Sequence, residues 1–198
     1  MKKNNIIPLI VVIGLGIYVG LSMNNKGNPT EQSTVANVSE SEINEESSVG
    51  ELSLEEKQKR FMTYYENIKQ IFDSFEKIDE AVKTMSNSNP SRLESYQNFQ
   101  KLRDLMEEGQ RRPVYNPEGF NESETEMFKA VDSGLSEAFQ YRKFAYEHMM
   151  EYLDTDSLAK ADEAKQWLES ANHSLNSAMI NLATLKLMYD PSEKNETK

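Results

Sequence analysis

Apolar residues recur at helical spacing along most of the chain. From Tyr64 they continue through Ile68, Ile71, Phe75, Ile78, Val82 and Met85, separated alternately by four and three residues. That alternation turns one face of a helix toward a neighbour, as in a heptad seam. Phe61, Tyr65 and Phe72 widen the seam into a core-facing stripe. Ser53-Leu54-Glu55-Glu56 reads as a capping box, so the first helix is predicted over about 54–86. Ser86-Asn87-Ser88-Asn89-Pro90 is a turn with a proline suited to the first helical position. Leu93, Tyr96, Phe99, Leu102 and Met106 then mark a second helix over about 90–108, stopped by Gly109.

Residues 109–122 have no such period. Ser123-Glu124-Thr125-Glu126 reads as another capping box, and Phe128, Val131, Leu135, Ala138, Arg142, Ala145, Met149 and Tyr152 follow at three-four spacing. They predict a third helix over about 124–153. Asp154-Thr155-Asp156 supplies the next cap. Leu158, Ala161, Ala164, Leu168, Ala171, Leu175, Ala178, Leu182, Leu185 and Tyr189 predict a fourth helix over about 157–189, which Pro191 ends. No strand pattern appears after residue 50.

The expected fold is therefore all-α: an antiparallel, up-down-up-down four-helix bundle over residues 51–190. Its short turns should make the first and second helices, and the third and fourth, antiparallel neighbours. The alanines of the fourth helix should let it approach closely. The second helix is shorter by more than a turn, so the 109–122 connection should fill the space left at one end.

Ahead of this region the pattern changes. Residues 6–22 contain no ionisable side chain other than Tyr18. As a helix the run would span roughly 25 Å, and counting Met23 and its flanks brings it within reach of a bilayer core. Lys2 and Lys3 precede it within a short basic start, residues 1–5. Residues 23–50 follow with Lys26 against Glu31, Glu40, Glu42, Glu45 and Glu46. The positive-inside rule keeps the N-terminus in the cytoplasm and sends the rest across. Residues 6–23 are read as a single-pass transmembrane anchor. The alternative is a signal segment cleaved near Ser22, with Gly20 and Ser22 as the small residues, which would release a secreted chain. Gly16 and Gly20 have the G-x-x-x-G spacing that lets two membrane helices pack closely, a spacing that also arises by chance. Residues 24–50 are rich in Asn, Ser, Glu and Thr with isolated apolar residues. They read as a disordered acidic stalk with an r.m.s. reach of roughly 30 Å. Residues 191–198 read as a disordered tail.

Composition narrows the chemistry. The 198 residues carry 22 Lys+Arg against 33 Asp+Glu, a formal net charge of −11, with two His and no Cys. The acidic balance argues against nucleic acid as a partner. The absence of Cys excludes disulfides, thiolate metal sites and a lipid-modified cysteine. Glu-x-x-His pairs of the di-iron type are missing, because Ala145 stands three before His148 and Ser170 three before His173. No metal, cofactor or catalytic residue is expected, and the chain is not read as an enzyme.

Two clusters remain. Arg142 occupies a seam position, and Asp79 lies on the alternate seam of the first helix. An Asp79–Arg142 ion pair would set helix register, whereas an Arg142 that snorkels outward past Ala138 and Ala145 would not. In the 109–122 connection, Arg111, Arg112, Tyr115 and Phe120 combine a basic pair with Pro-flanked aromatics, the chemistry of a partner-binding hot spot. The competing reading folds Tyr115 and Phe120 back as a lid.

From Pro117 onward the chain resembles a recurring type of exported helical domain in Gram-positive bacteria. The resemblance is carried by Pro117-Glu118-Gly119-Phe120, by Tyr141–Tyr152 and by Asp156-Ser157-Leu158-Ala159-Lys160-Ala161-Asp162-Glu163-Ala164. Many such proteins carry a lipobox cysteine, which this chain lacks. The resemblance implies location and fold, and no defined activity. The functional expectation is a membrane-tethered extracytoplasmic module that contacts a protein or cell-envelope partner. The alternative is an exported bundle that binds a small apolar or haem-like ligand between helices, near Ala138, Ala145, Ala171 and Ala178.

Overall fold

A computed structural model describes residues 52–190. The expected anchor over 6–23, the stalk over 24–50 and the tail over 191–198 lie outside the described residues. Within them the chain forms four helices and no strand: α1 (Leu54–Asn87), α2 (Arg92–Gln110), α3 (Glu122–Thr155) and α4 (Leu158–Tyr189). Among the described residues no helix is long and apolar enough to cross a membrane.

The capping box before α1 is as the sequence predicts. The Ser53 side chain accepts from the Glu56 N–H, and Glu56 reaches back to the Ser53 N–H. Other ends differ. The α2 N-cap is Ser91, closed by a reciprocal bond with Glu94, so Pro90 lies outside the helix rather than at its first position. Gly109 is not a stop: α2 runs one residue past it and Arg111 is the cap. The missing side chain is used for packing instead, because a Cβ at Gly109 would overlap the Phe139 ring of α3. At α3 the capping box is Asn121 with Glu124, two residues before the expected Ser123–Glu126 pair. The Asn121 side chain accepts from the Glu124 N–H, so the helix begins about half a turn earlier than the Ser123 box would start it. Asp156 ends α3 in the left-handed region that Asp tolerates. Ser157 starts α4 with no side-chain cap bond.

Contacts fix the helix directions. Glu137 meets Ser174, His148 meets Glu163 and Glu151 meets Lys160, so α3 and α4 are antiparallel. Glu107 meets Lys143 and Arg92 meets Asp156, so α2 runs against α3. Phe61 meets Tyr189 on α4. Lys57, Phe75 and Asp79 meet Glu124, Phe139 and Arg142 in order, so α1 and α3 are parallel.

Side-chain volume sets how closely these helices approach. The α3–α4 seam uses Gly134, Ala138, Ala145, Ala161, Ala164, Ala171 and Ala178, each fully or almost fully buried. A Cβ at Gly134 would meet the Ser174 carbonyl oxygen at 2.8 Å. Here the backbones are nearest. Between α1 and α3 lie Tyr64, Phe75, Phe128, Phe139 and Arg142, whose bulk holds the helices apart. α1 and α2, expected as antiparallel neighbours, approach each other less closely than the pairs α3–α4, α2–α3 and α1–α4 do: α2 lies mainly on α3, and α1 makes its nearest backbone approach to α4. A short turn sets which chain ends are adjacent, while the facing side chains set the distance between axes.

Because α2 is short, it covers only the C-terminal half of α3. Residues 111–121 cover the other end. Leu52 N donates to Gly119 O at 3.0 Å, and Gly119 has φ +86°, a conformation suited to glycine. The connection thus fills the gap beside α2, and the chain enters the bundle at that same end.

Candidate functional site

Arg112 and Tyr115, in the first half of the 111–121 connection, are held by one carboxylate on α3. Asp132 is buried beside Val131. Its Oδ1 accepts from Arg112 Nη1 at 2.9 Å, its Oδ2 from the Tyr115 N–H at 2.9 Å, and its backbone oxygen from Arg112 Nη2 at 2.8 Å. Tyr64 of α1 donates its hydroxyl to Oδ1 at 3.4 Å. One side chain therefore ties the connection to α3 and α1. Burial, followed by the negative charge of Asp132, pushes the Tyr64 phenol far above its ordinary range.

Tyr115 packs on Tyr64 and Phe128, with ring centroids 4.6 and 4.9 Å away. Phe120 is buried on Phe128 and Tyr189. Burial raises the Tyr115 phenol too. Of the four residues assigned to a partner-binding surface, Arg112, Tyr115 and Phe120 thus make contacts internal to the fold. Arg111 is exposed and pairs with Glu107 of its own helix. The geometry is that of a closed end, and the three inward residues do not present a docking face.

Neighbouring this end, Lys57 Nζ lies 3.0 Å from Glu124 Oε2, with both side chains almost fully buried. Burial disfavours the Glu124 carboxylate, but bonds from Tyr189, the Asn121 backbone and Lys57 outweigh it and hold its pKa below the ordinary value. Sequence reading missed both Asp132 and Lys57. The available signal was a charged residue on an apolar stripe: Lys57 continues the four-three spacing back from Phe61, and Asp132 sits between Phe128 and Leu135.

Asp79 and Arg142 are brought together. Arg142 Nη2 donates to Asp79 Oδ2 at 3.1 Å, and the Arg142 guanidinium lies 4.8 Å from the Phe75 ring. Arg142 does not snorkel out; its side chain is 1% exposed against 19% for Asp79. Burial opposes its charge, and Tyr146 and Asp79 more than offset that, raising its pKa. Asn172 Oδ1 approaches Arg142 Nη2 at 3.5 Å, which brings α4 into the same cluster.

The space expected near Ala138, Ala145, Ala171 and Ala178 is closed, because these residues form the tight α3–α4 contact. His148 is half-buried, with Nδ1 3.3 Å from carboxylate oxygens of both Glu151 and Glu163. A groove of about 500 Å³ does run outside α3 and α4, lined by Glu137, Tyr141, Gln166, Glu169, Ser170, His173 and Ser174. Ser174 Oγ donates to Glu137 Oε2 at 2.9 Å, a cross-helix tie. Among the described residues no group of three or more His, Asp or Glu side chains converges on a position for a metal ion.

Fold and site together define an all-helical bundle whose buried charges tie helices and connection to one another. No family model, curated protein or solved structure matches this chain.

Proposed function

We propose that the chain is a membrane-tethered module that works outside the cytoplasm by contact rather than by catalysis. In this reading residues 6–23 anchor it, residues 24–50 act as a spacer, and the antiparallel four-helix bundle is the working part. The observation that carries the reading is the bundle's polarity. The chain enters beside Gly119, at the end closed by residues 111–121. The turns at 88–91 and 156–157 are at the other end. α1 alone, with 34 residues, is ~50 Å long, so that tip stands well clear of the point of entry. Leu93 and Leu158 are exposed there, 66% and 67% respectively, and they supply apolar contact area for a protein or cell-envelope partner. The buried ionisable groups support a structural rather than catalytic role, since Lys57, Arg112 and Arg142 are each matched to a carboxylate inside the fold.

Fractionation of cells expressing the tagged full chain, with intact mass determination and protease added outside, tests this. The expected result is an uncleaved chain in the membrane fraction whose bundle is digested from outside. A mature chain beginning near Met23 in the medium would remove the tether, and a protease-protected chain would remove the extracytoplasmic placement. Photo-crosslinkers at positions 93 and 158 should then capture a neighbour that one at Gln100 does not. Equal capture from all three positions would remove the tip as the contact surface.

A further inference from the structure

We infer that the outer face of α4 near its C-terminus is where two copies of this chain pair. Met179, Ile180, Ala183, Leu187 and Met188 lie on the solvent side of α4, with Ile180 63% and Leu187 64% exposed. Ile180 and Leu187 are seven apart, and Met179, Ala183 and Leu187 follow at spacings of four, so the residues form one strip. The buried seam of the same helix, Leu175, Ala178, Leu182 and Leu185, points the other way into the bundle. The strip is therefore surplus to the fold.

Its charge says what covers it. From Ser170 to Leu185 there is no Asp, Glu, Lys or Arg, in a chain that is 28% charged. The exposed positions of that stretch are His173, Ser177, Met179, Ile180, Ala183 and Thr184. The outward positions of α1, by contrast, include Glu55, Lys59, Glu66, Lys69, Asp73, Glu76, Lys77 and Glu80. Interface cores combine apolar side chains with depletion of charge, and this surface does both. Two copies of a chain with net charge −11 repel each other over most approaches, so this face, whose one flanking cation, Lys186, is matched to Asp190, is where a second copy meets the least opposition. The chain's own remainder is a poor cover. Residues 191–198 hold no apolar residue beyond Pro191, and the apolar residues of 24–50 are isolated. A lipid surface is opposed by the acidic side chains near this end, Glu55, Glu118, Glu122 and Glu126. A two-fold pairing is self-complementary and needs no second kind of surface.

The absence of cysteine makes the test direct. Ala183 is the midpoint of the strip from Met179 to Leu187, so it meets itself across a two-fold axis whether the paired helices run parallel or antiparallel. The test does not depend on the tether. In cells expressing the full chain, and in the detergent-solubilised full chain, Ala183→Cys should form a disulfide-linked dimer under mild oxidation. Pairing raises the local thiol concentration, so the rate should exceed that of Ser74→Cys and Gln100→Cys, exposed on α1 and α2, by more than about tenfold. Adding Ile180→Glu and Leu187→Glu should return it to the control rate with helix content and melting temperature unchanged, since both side chains are exposed. Crosslinking no faster than the controls overturns the inference. So does an Ala183→Cys that stays monomeric yet is shielded from a water-soluble maleimide, which would mean another molecule covers the face. Loss of the crosslink on Gly16→Leu and Gly20→Leu, with no effect of the glutamates, would assign pairing to the N-terminal segment and overturn it as well.

Discussion

Arg142 of α3 and Asp79 of α1 form a cross-helix ion pair in the bundle interior, with Arg142 Nη2 donating to Asp79 Oδ2 at 3.1 Å. The two residues are 63 positions apart, and their pairing joins helices whose backbones are held apart by aromatic rings. The Phe75 ring beneath the guanidinium completes the site. Taking both charges out of water offsets much of their attraction, so the intact pair adds little net stability.

Breaking this pair from one side leaves a charge unmatched. Arg142→Ala should lose about 3–5 kcal/mol of stability, and Asp79→Ala less, because Asp79 retains access to water. The double variant Asp79→Leu/Arg142→Met should recover most of the loss. Urea denaturation of all variants, arranged as a double-mutant cycle, measures the coupling. Strict additivity of the two single effects would show that the pair does not act as a unit.

The closed end depends on Asp132. Asp132→Ala removes the carboxylate that accepts from Arg112 Nη1, from the Tyr115 N–H and from Tyr64, leaving only the backbone oxygen for Arg112 Nη2, and it should free residues 111–121 before the bundle unfolds. Chymotrypsin should then cut after Tyr115 and Phe120 under conditions where the parent chain is resistant. Phe120→Ala should destabilise the whole bundle by about 3–5 kcal/mol, the ordinary loss for a buried phenylalanine. Cleavage rates that do not change on Asp132→Ala would show that the connection is held by its aromatics alone.

The α3–α4 contact should be sensitive to added volume. Ala171→Leu forces bulk into a seam where residue 171 is fully buried, and overpacking of this kind costs about 1–3 kcal/mol. Gly134→Ala directs a methyl at the Ser174 carbonyl, so it should also destabilise, although alanine is the better helix former. Thermal melts decide the sign. A rise in melting temperature for Gly134→Ala would mean that the two helices yield without strain.

Stability should fall at both extremes of pH, for different reasons. Glu124 has a folded pKa below its ordinary 4.5. Its contribution is present above that value and is lost as pH falls through the folded one. Tyr64, Tyr115 and Tyr146 have folded pKa values above the ordinary 10.0, chiefly from burial. Their contribution is complete below 10.0 and is lost as pH rises toward the folded values. Denaturant midpoints across pH should show both slopes. Glu124→Gln should flatten the acid limb only, and an unchanged acid limb would move its cause elsewhere.

What the sequence by itself determined is what local physics controls. Spacings of three and four set the four helices and their stripes, because a helix repeats every 3.6 residues whatever surrounds it. The Ser53–Glu56 box was legible since its partners lie within one turn. Even the need for residues 109–122 to fill a gap followed from the short second helix. What only the tertiary structure decided depends on groups far apart in the chain. Gly109 had the form of a stop, yet the Phe139 ring recruits it as a packing site. Ser123 and Asn121 were both competent caps, and the structure uses Asn121. Residues 109–122 read equally as an exposed contact and as a lid formed by Tyr115 and Phe120; the inward arrangement, with Arg112 included, was decided where Asp132, Tyr64, Phe128 and Tyr189 meet from three helices. Periodicity says which side of a helix is apolar, but the distance between two helices depends on the side-chain volumes that face each other. Alanine and glycine bring α3 to α4, while phenylalanine, tyrosine and arginine hold α1 away from α3.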